Sequence, residues 1–240
     1  MKVRGLRGQP LLNTPHESPE PWLRMTPRDE DLIRAQLAQK RDNDQGWVVA
    51  ETHHWMMGLG IPEPVSDENR RAIAEQLGHD RLMSDGGWGV ARMHYLMRRL
   101  GFGERISHED EDKIRGELLE KRDRRDGWGT AWMLHYMKGL GMGEAATDQD
   151  RARMSAYLRQ YRASGVGYNI AWMHHLMRDV SAGEAVTDDD KSAVKEKLEA
   201  YRDGGSGHGV AMMLYLAGKM FPKDGAEAAL EMPPLRRFRA

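Results

Sequence analysis

Residues 127–141 read GWGTAWMLHYMKGLG, a Gly–aromatic pair at one end and a Gly at the other. Between these marks Ala131, Met133, Leu134, Tyr136, Met137 and Leu140 occupy most of a helical circumference. Such a helix is buried on several sides. The opening pair recurs as Gly46-Trp47, Gly87-Trp88, Gly167-Tyr168 and Gly207-His208, with successive spacings of 41, 40, 40 and 40 residues. The fourth residue after the Gly is always Ala: Ala50, Ala91, Ala131, Ala171 and Ala211. The tenth is Met56, Met97, Met137, Met177 and Ala217. Gly60, Gly101 and Gly141 close the first three copies as C-caps.

A second marker keeps the same period. Thr26, Ser66, Ser107, Thr147 and Thr187 each open an acidic cluster, and three residues later come Asp29, Asn69, Asp110, Asp150 and Asp190. A hydroxyl followed by an acid at that spacing is an N-terminal cap, and the acids suit the positive end of the helix dipole. Seven and eleven residues after the cap stand an aliphatic residue or Met and then Leu, from Ile33 and Leu37 to Val194 and Leu198. A step of four among charged residues predicts an amphipathic helix with a narrow buried stripe. Each unit is therefore a helical hairpin of about 40 residues, and stacking hairpins buries what one alone cannot.

The fold expected is all-α: a solenoid of five two-helix tandem repeats over 26–65, 66–106, 107–146, 147–186 and 187–222. This pattern resembles the broad HEAT/armadillo/tetratricopeptide class of two-helix repeats, without the 34-residue period of tetratricopeptides. The Gly86–Gly89 turn is similar to repeat motifs of α/α-toroid terpene cyclases, but no Asp-rich cyclase motif accompanies it.

Outside the repeats lie a Pro-rich arm, 1–25, and a tail, 223–240. The net charge of the whole chain is -1; residues 1–28 carry +3, the tail +1 and the repeat body -5. Lys2, Arg4, Arg7, Arg236, Arg237 and Arg239 make both arms basic and are expected to contact a partner. Trp22, Leu23 and Met25 are placed to cap an exposed end of the stack. With no Cys, disulfides and Cys-based zinc sites are excluded. The longest apolar run, Val210 to Ala217, is too short to span a membrane, which needs about 20 residues. A protein of the cytoplasm, or of an intracellularly assembled particle, is expected.

Turning the second helix by 100° per residue brings positions 1, 5 and 8 after the Gly onto one arc, away from the core arc. That arc carries Trp47, Trp88, Trp128 and Tyr168; Trp132 and Trp172; and His54, Tyr95, His135, His175 and Tyr215. Position 5 changes from Glu51 to Arg92 to Trp132 to Trp172 to Met212 while the core columns barely change, which suits a face free of packing demands. A ladder of amphipathic rings along a concave solenoid face would bind an extended peptide or another helix. The competing arrangement packs these rings between adjacent repeats.

Two other columns carry chemistry. His and Met three residues apart, as in His94 and Met97, share a helical face and could serve copper or haem iron. Met filling irregular gaps between helices is the simpler account. Arg41, Arg81, Arg122, Arg162 and Arg202 could read phosphates, one per unit. They equally suit the C-terminal end of a helix dipole, with Asp44, Asp85 and Asp126 nearby. No nucleophile with a base, phosphate loop or H-E-x-x-H is present, so no enzyme, cofactor or metal centre is expected. The function expected is a protein-interaction adaptor or a structural component of a larger assembly, such as a virion or multisubunit machine. The alternatives are a binder of metal, haem or a hydrophobic small molecule through the His/Met/Trp ladder, and, less favoured, a nucleic-acid-binding repeat.

Overall fold

The computed structural model describes residues 20–42, 46–83 and 86–221, with side chains for all of these but 41 and 42. The six basic arm residues, Asp44, Asp85 and the Arg41 side chain lie outside the described set. The described residues form ten α-helices and no strand: α1 (Pro27–Asp42), α2 (Gly46–Gly58), α3 (Asp67–Leu82), α4 (Gly87–Arg99), α5 (His108–Asp123), α6 (Gly127–Leu140), α7 (Asp148–Ser164), α8 (Gly167–Asp179), α9 (Asp188–Asp203) and α10 (Gly207–Met220). None is long and apolar enough to cross a membrane.

The odd-numbered helices start as their caps dictate. Ser66, Ser107, Thr147 and Thr187 each accept from the amide three residues on, and Thr147 and Thr187 complete reciprocal capping boxes with Asp150 and Asp190. Thr26 and Asp29 exchange the same two bonds at the start of α1. Each odd helix buries the expected stripe, such as Ile114 and Leu118 or Val194 and Leu198, together with its cap residue Asp29, Asn69, Asp110, Asp150 or Asp190. The even helices are buried almost all round and pack against one another side by side.

The stack closes on itself. α2, α4, α6, α8 and α10 form an inner ring in which α10 touches α2, and each odd helix sits outside, between two inner ones. α1 accordingly packs against α10 as well as α2. Three kinds of contact recur at the joints, and the first two are repeated across the closure. First, the turn Gly lies on the backbone of the following outer helix. A Cβ on Gly167 would stand 2.0 Å from the Ala193 carbonyl oxygen, and one on Gly207 2.0 Å from that of Leu32. Gly46, Gly87 and Gly127 meet Ala72, Lys113 and Arg153 in the same way. These glycines are fixed by close approach of two backbones.

Second, the Arg column binds the buried acid of the next cap. Arg81 reaches Asp110, Arg122 reaches Asp150 at 2.8 Å and Arg162 reaches Asp190 at 2.8 Å. Arg202 reaches Asp29 at 2.9 Å, 173 residues away in the chain. The same guanidiniums pair with Glu104, Glu144 and Glu184 in the loops between hairpins. Arg202 instead donates to the Trp22 and Arg24 carbonyls. Third, Arg98 donates to the Leu140 carbonyl at 2.7 Å, and Lys138 and Arg178 to those of Asp179 and Lys219, so a cation covers the C-terminal end of the next inner helix.

Trp22, Leu23 and Met25 therefore do not cover an exposed end, because the ends meet. They pack at the joint, where Trp22 stands edge-on to Phe221 at 5.9 Å and Glu20 pairs with Lys191. Arg81, Arg122, Arg162 and Arg202, the members of the Arg column with described side chains, are committed to these acids and do not form a free phosphate stripe.

Burial on its own raises a carboxyl pKa, but the Arg and cap hydrogen bonds outweigh it and hold Asp29, Asp110, Asp150 and Asp190 below the usual range. A depressed folded pKa means the joints contribute fully above about pH 4 and weaken as the pH falls further. Arg162→Ala strands a buried carboxylate and is expected to cost about 3 kcal/mol in urea unfolding at neutral pH. Arg202→Ala should cost a similar amount, because the joint it makes is equivalent; a near-zero cost there would mean the last hairpin is not bound to the first.

Candidate functional site

Closure turns the arc of rings into the lining of a central lumen, arranged in layers. The first turn of the inner helices supplies Trp47, Trp88, Trp128, Tyr168 and His208. One turn deeper lie Glu51, Arg92, Trp132, Trp172 and Met212. Below them His54, Tyr95, His135, His175 and Tyr215 form a five-sided circuit. Its sides, taken in order around the ring, measure 5.9, 4.9, 5.2, 5.9 and 5.3 Å between ring centroids. The fourth layer is Gly58, Arg99, Gly139, Asp179 and Lys219. Two of its glycines leave room for tyrosines above: a Cβ on Gly58 would meet the Tyr215 ring at 2.5 Å, and one on Gly139 the Tyr95 ring at 2.4 Å.

The first two layers enclose a cavity of about 480 Å³ that opens at the N-terminal end of the inner helices. Trp55, Tyr136, Tyr201, Ser206 and Gly209 complete its wall. Within it Arg92 binds Glu51 at 2.6 Å, and its guanidinium lies 4.2 Å from the Trp47 ring and 4.8 Å from the Trp88 ring. Cation–π contacts of this kind gain strength where water is excluded. Desolvation raises the Glu51 pKa even though Arg92 works against it. Trp132 and Trp172 stand 4.3 Å apart, and the Trp172 indole donates to the Met212 sulfur.

All eleven ring residues of the expected ladder face the lumen, but not as an open groove. Trp132, Trp172, His54, Tyr95, His135, His175 and Tyr215 are each at most 8 % exposed. Only the first layer keeps an open edge, with Trp47 36 % exposed. The rings of neighbouring inner helices instead pack on one another in a circuit around the axis, as in the competing arrangement. The reason is the joint between α10 and α1, which removes the free ends that a concave face requires.

The His and Met residues three apart do not act together. His94 and His174 bind Asp110 and Asp190 at 3.0 Å, inside the joints, and the Asn69 side chain meets His53 at 2.7 Å. Met56, Met97, Met137 and Met177 are core. Sequence reasoning passed over Glu51, Arg92, Trp55, Tyr136 and His208 as site residues. A signal existed for the first two: opposite charges occupy the same inward column in consecutive units, 41 residues apart. Trp55 and Tyr136 had none, since their column is otherwise Leu.

No family model, no curated protein and no solved structure matches the chain.

His208 stands 4.6 Å from the Trp55 ring and 6.5 Å from that of Trp47. Burial, and then the charges of Arg92 and Lys40, lower its pKa to about 4. A lowered folded pKa means that its neutral form stabilises the fold above about pH 6.5 and that this contribution declines as the pH falls towards 4. The stability lost between pH 7.5 and 5 should be smaller by roughly 2 kcal/mol in His208→Phe, measured by urea unfolding at both pH values. An unchanged difference would place the imidazole in water.

Proposed function

We propose that the protein is a binding protein whose ligand is an apolar, ring-containing small molecule taken end-on into the aromatic mouth of the ring. The observation that carries this reading is the cavity of about 480 Å³ walled by Trp47, Trp88, Trp128 and Tyr168. Small-molecule sites are typically apolar hollows of about 300–1,000 Å³ with a few fixed polar groups. Here the polar groups are Glu51 and Arg92, so a ligand with a polar end and a flat body satisfies both parts of the lining. Binding rather than catalysis is the reading we favour, since among the described residues the mouth is dominated by rings and by an ion pair whose two members satisfy each other.

Anilinonaphthalene sulfonate, a flat apolar body with one anionic group, is a suitable probe. One equivalent should bind per chain, with quenched tryptophan emission, and Trp128→Ala should weaken binding at least tenfold. Absence of saturable binding, or an unchanged affinity in Trp128→Ala, would contradict the proposal.

The adaptor role has separate support in apolar side chains on the outside of the ring. Leu82 is 86 % exposed, and Met83, Leu119 and Val166 are exposed as well. As part of a larger assembly the protein would bury these side chains against a neighbouring protein. A partner that co-purifies from the native source should be lost from a Leu82→Glu, Leu119→Glu chain; retention by that chain would remove the support.

A further inference from the structure

On the ring axis beneath the aromatic cavity, His135 of α6 and His175 and Asp179 of α8 bring three ligand-type atoms within 4.8 Å of one another. His175 and Asp179 are one helical turn apart, so both project towards the same point. Asp179 Oδ2 lies 2.8 Å from His135 Nδ1 and 3.9 Å from His175 Nε2. The shorter contact is off the line that a hydrogen bond requires, and His135 Nδ1 has no hydrogen-bond partner among the described residues. Neither does Nδ1 of His175 or of His54, although both side chains are buried. Nδ1 of His94 and of His208 is likewise without a hydrogen-bond partner among the described residues, so what distinguishes this layer is the carboxylate beside His135 and His175.

Asp179 is unusual in a second way. It is the last residue of α8, where the helix dipole disfavours an anion. In the other units this column holds Gly58, Arg99, Gly139 and Lys219. Asp179 is the only acid in this column and stands against local electrostatics, which is where a specific role is expected.

We propose that His135, His175 and Asp179 form a binding site for a divalent first-row transition-metal ion, with Zn²⁺ as its simplest occupant. Two imidazoles and one carboxylate are a borderline donor set that suits such ions, and three protein ligands leave a coordination position for water. A cavity of about 20 Å³ lined by His54, His135, His175, Tyr95 and Tyr215 adjoins the site, and it has room for about one water. Lys219 and Arg178 lie within electrostatic reach of the Asp179 carboxylate and would compete with a bound cation.

The test is titration of the full chain, stripped with a chelator, with Co²⁺ followed by its visible ligand-field absorption, and with Zn²⁺ followed by calorimetry. One equivalent should bind, with the intense bands of a low-coordinate Co²⁺ site. His135→Gln and Asp179→Asn should each weaken binding at least tenfold, while substitution of the surface histidines in His79→Gln, His108→Gln should leave it unchanged. Lys219→Met, which removes a competing cation, should tighten Co²⁺ binding severalfold, a gain that no loss of folding can produce. If Asp179→Asn fails to fold, His135→Gln and Lys219→Met still decide the matter. Failure of the wild-type chain to take up either ion overturns the proposal, as does uptake that persists in His135→Gln or disappears with the surface histidines.

Discussion

Everything in this ring depends on a buried aspartate that serves two hairpins at once. Asp190 caps its own helix through Thr187 and accepts both arms of Arg162 from the unit before. Asp29 does the same for Thr26 and Arg202. A buried carboxylate without its cation is strongly destabilising, so the starts of α1, α5, α7 and α9 are tolerable only when the preceding hairpin is docked. Hydrophobic burial between inner helices supplies the bulk of the driving force, but it is non-directional. The Arg–Asp joint and the turn Gly set beneath it fix register and angle. Because Arg202 finds its acid in the first unit, five repetitions of that angle amount to a full turn.

Closure converts a repetitive core into a specific interior. In an open solenoid the inward column would line a groove and would be free to vary. Inside a ring of five the same column fills a lumen in layers, and each layer must pack as a set. The Gly58–Tyr215 and Gly139–Tyr95 contacts show this, since a small residue in one unit makes space for a ring from its neighbour. The layers that cannot be packed with rings alone carry charge: Glu51 with Arg92 above, and Asp179 among histidines and cations below. These are the places where the repeat is broken, and both candidate sites are built there.

Much of this was legible in the sequence. The period, the caps, the buried stripe and the inward arc follow from residue type and spacing alone, and the helices begin and end close to where those signals fall. The pairing of the Arg column with the next unit's acid was not read, although both columns were in plain view. Spacing along one chain says which residues share a face, whereas the partner of a C-terminal Arg depends on the angle between hairpins. That angle also decides closure, and it is set by backbone contacts such as Gly207 on Leu32 that leave only a Gly in the sequence. Trp55 and Tyr136 enter the mouth because a large ring in a Leu column reaches the lumen edge, which depends on size and not on period.

Spin–spin distance measurements on doubly labelled protein address closure most directly. Ala35, Glu75 and Glu196 occupy the same exposed position on α1, α3 and α9. In a closed ring the separation between labels at 35 and 196 equals that between labels at 35 and 75, since both pairs join adjacent hairpins. A distance for 35 and 196 far longer than for 35 and 75 would mean an open row of hairpins, and neither the lumen nor its sites would then exist.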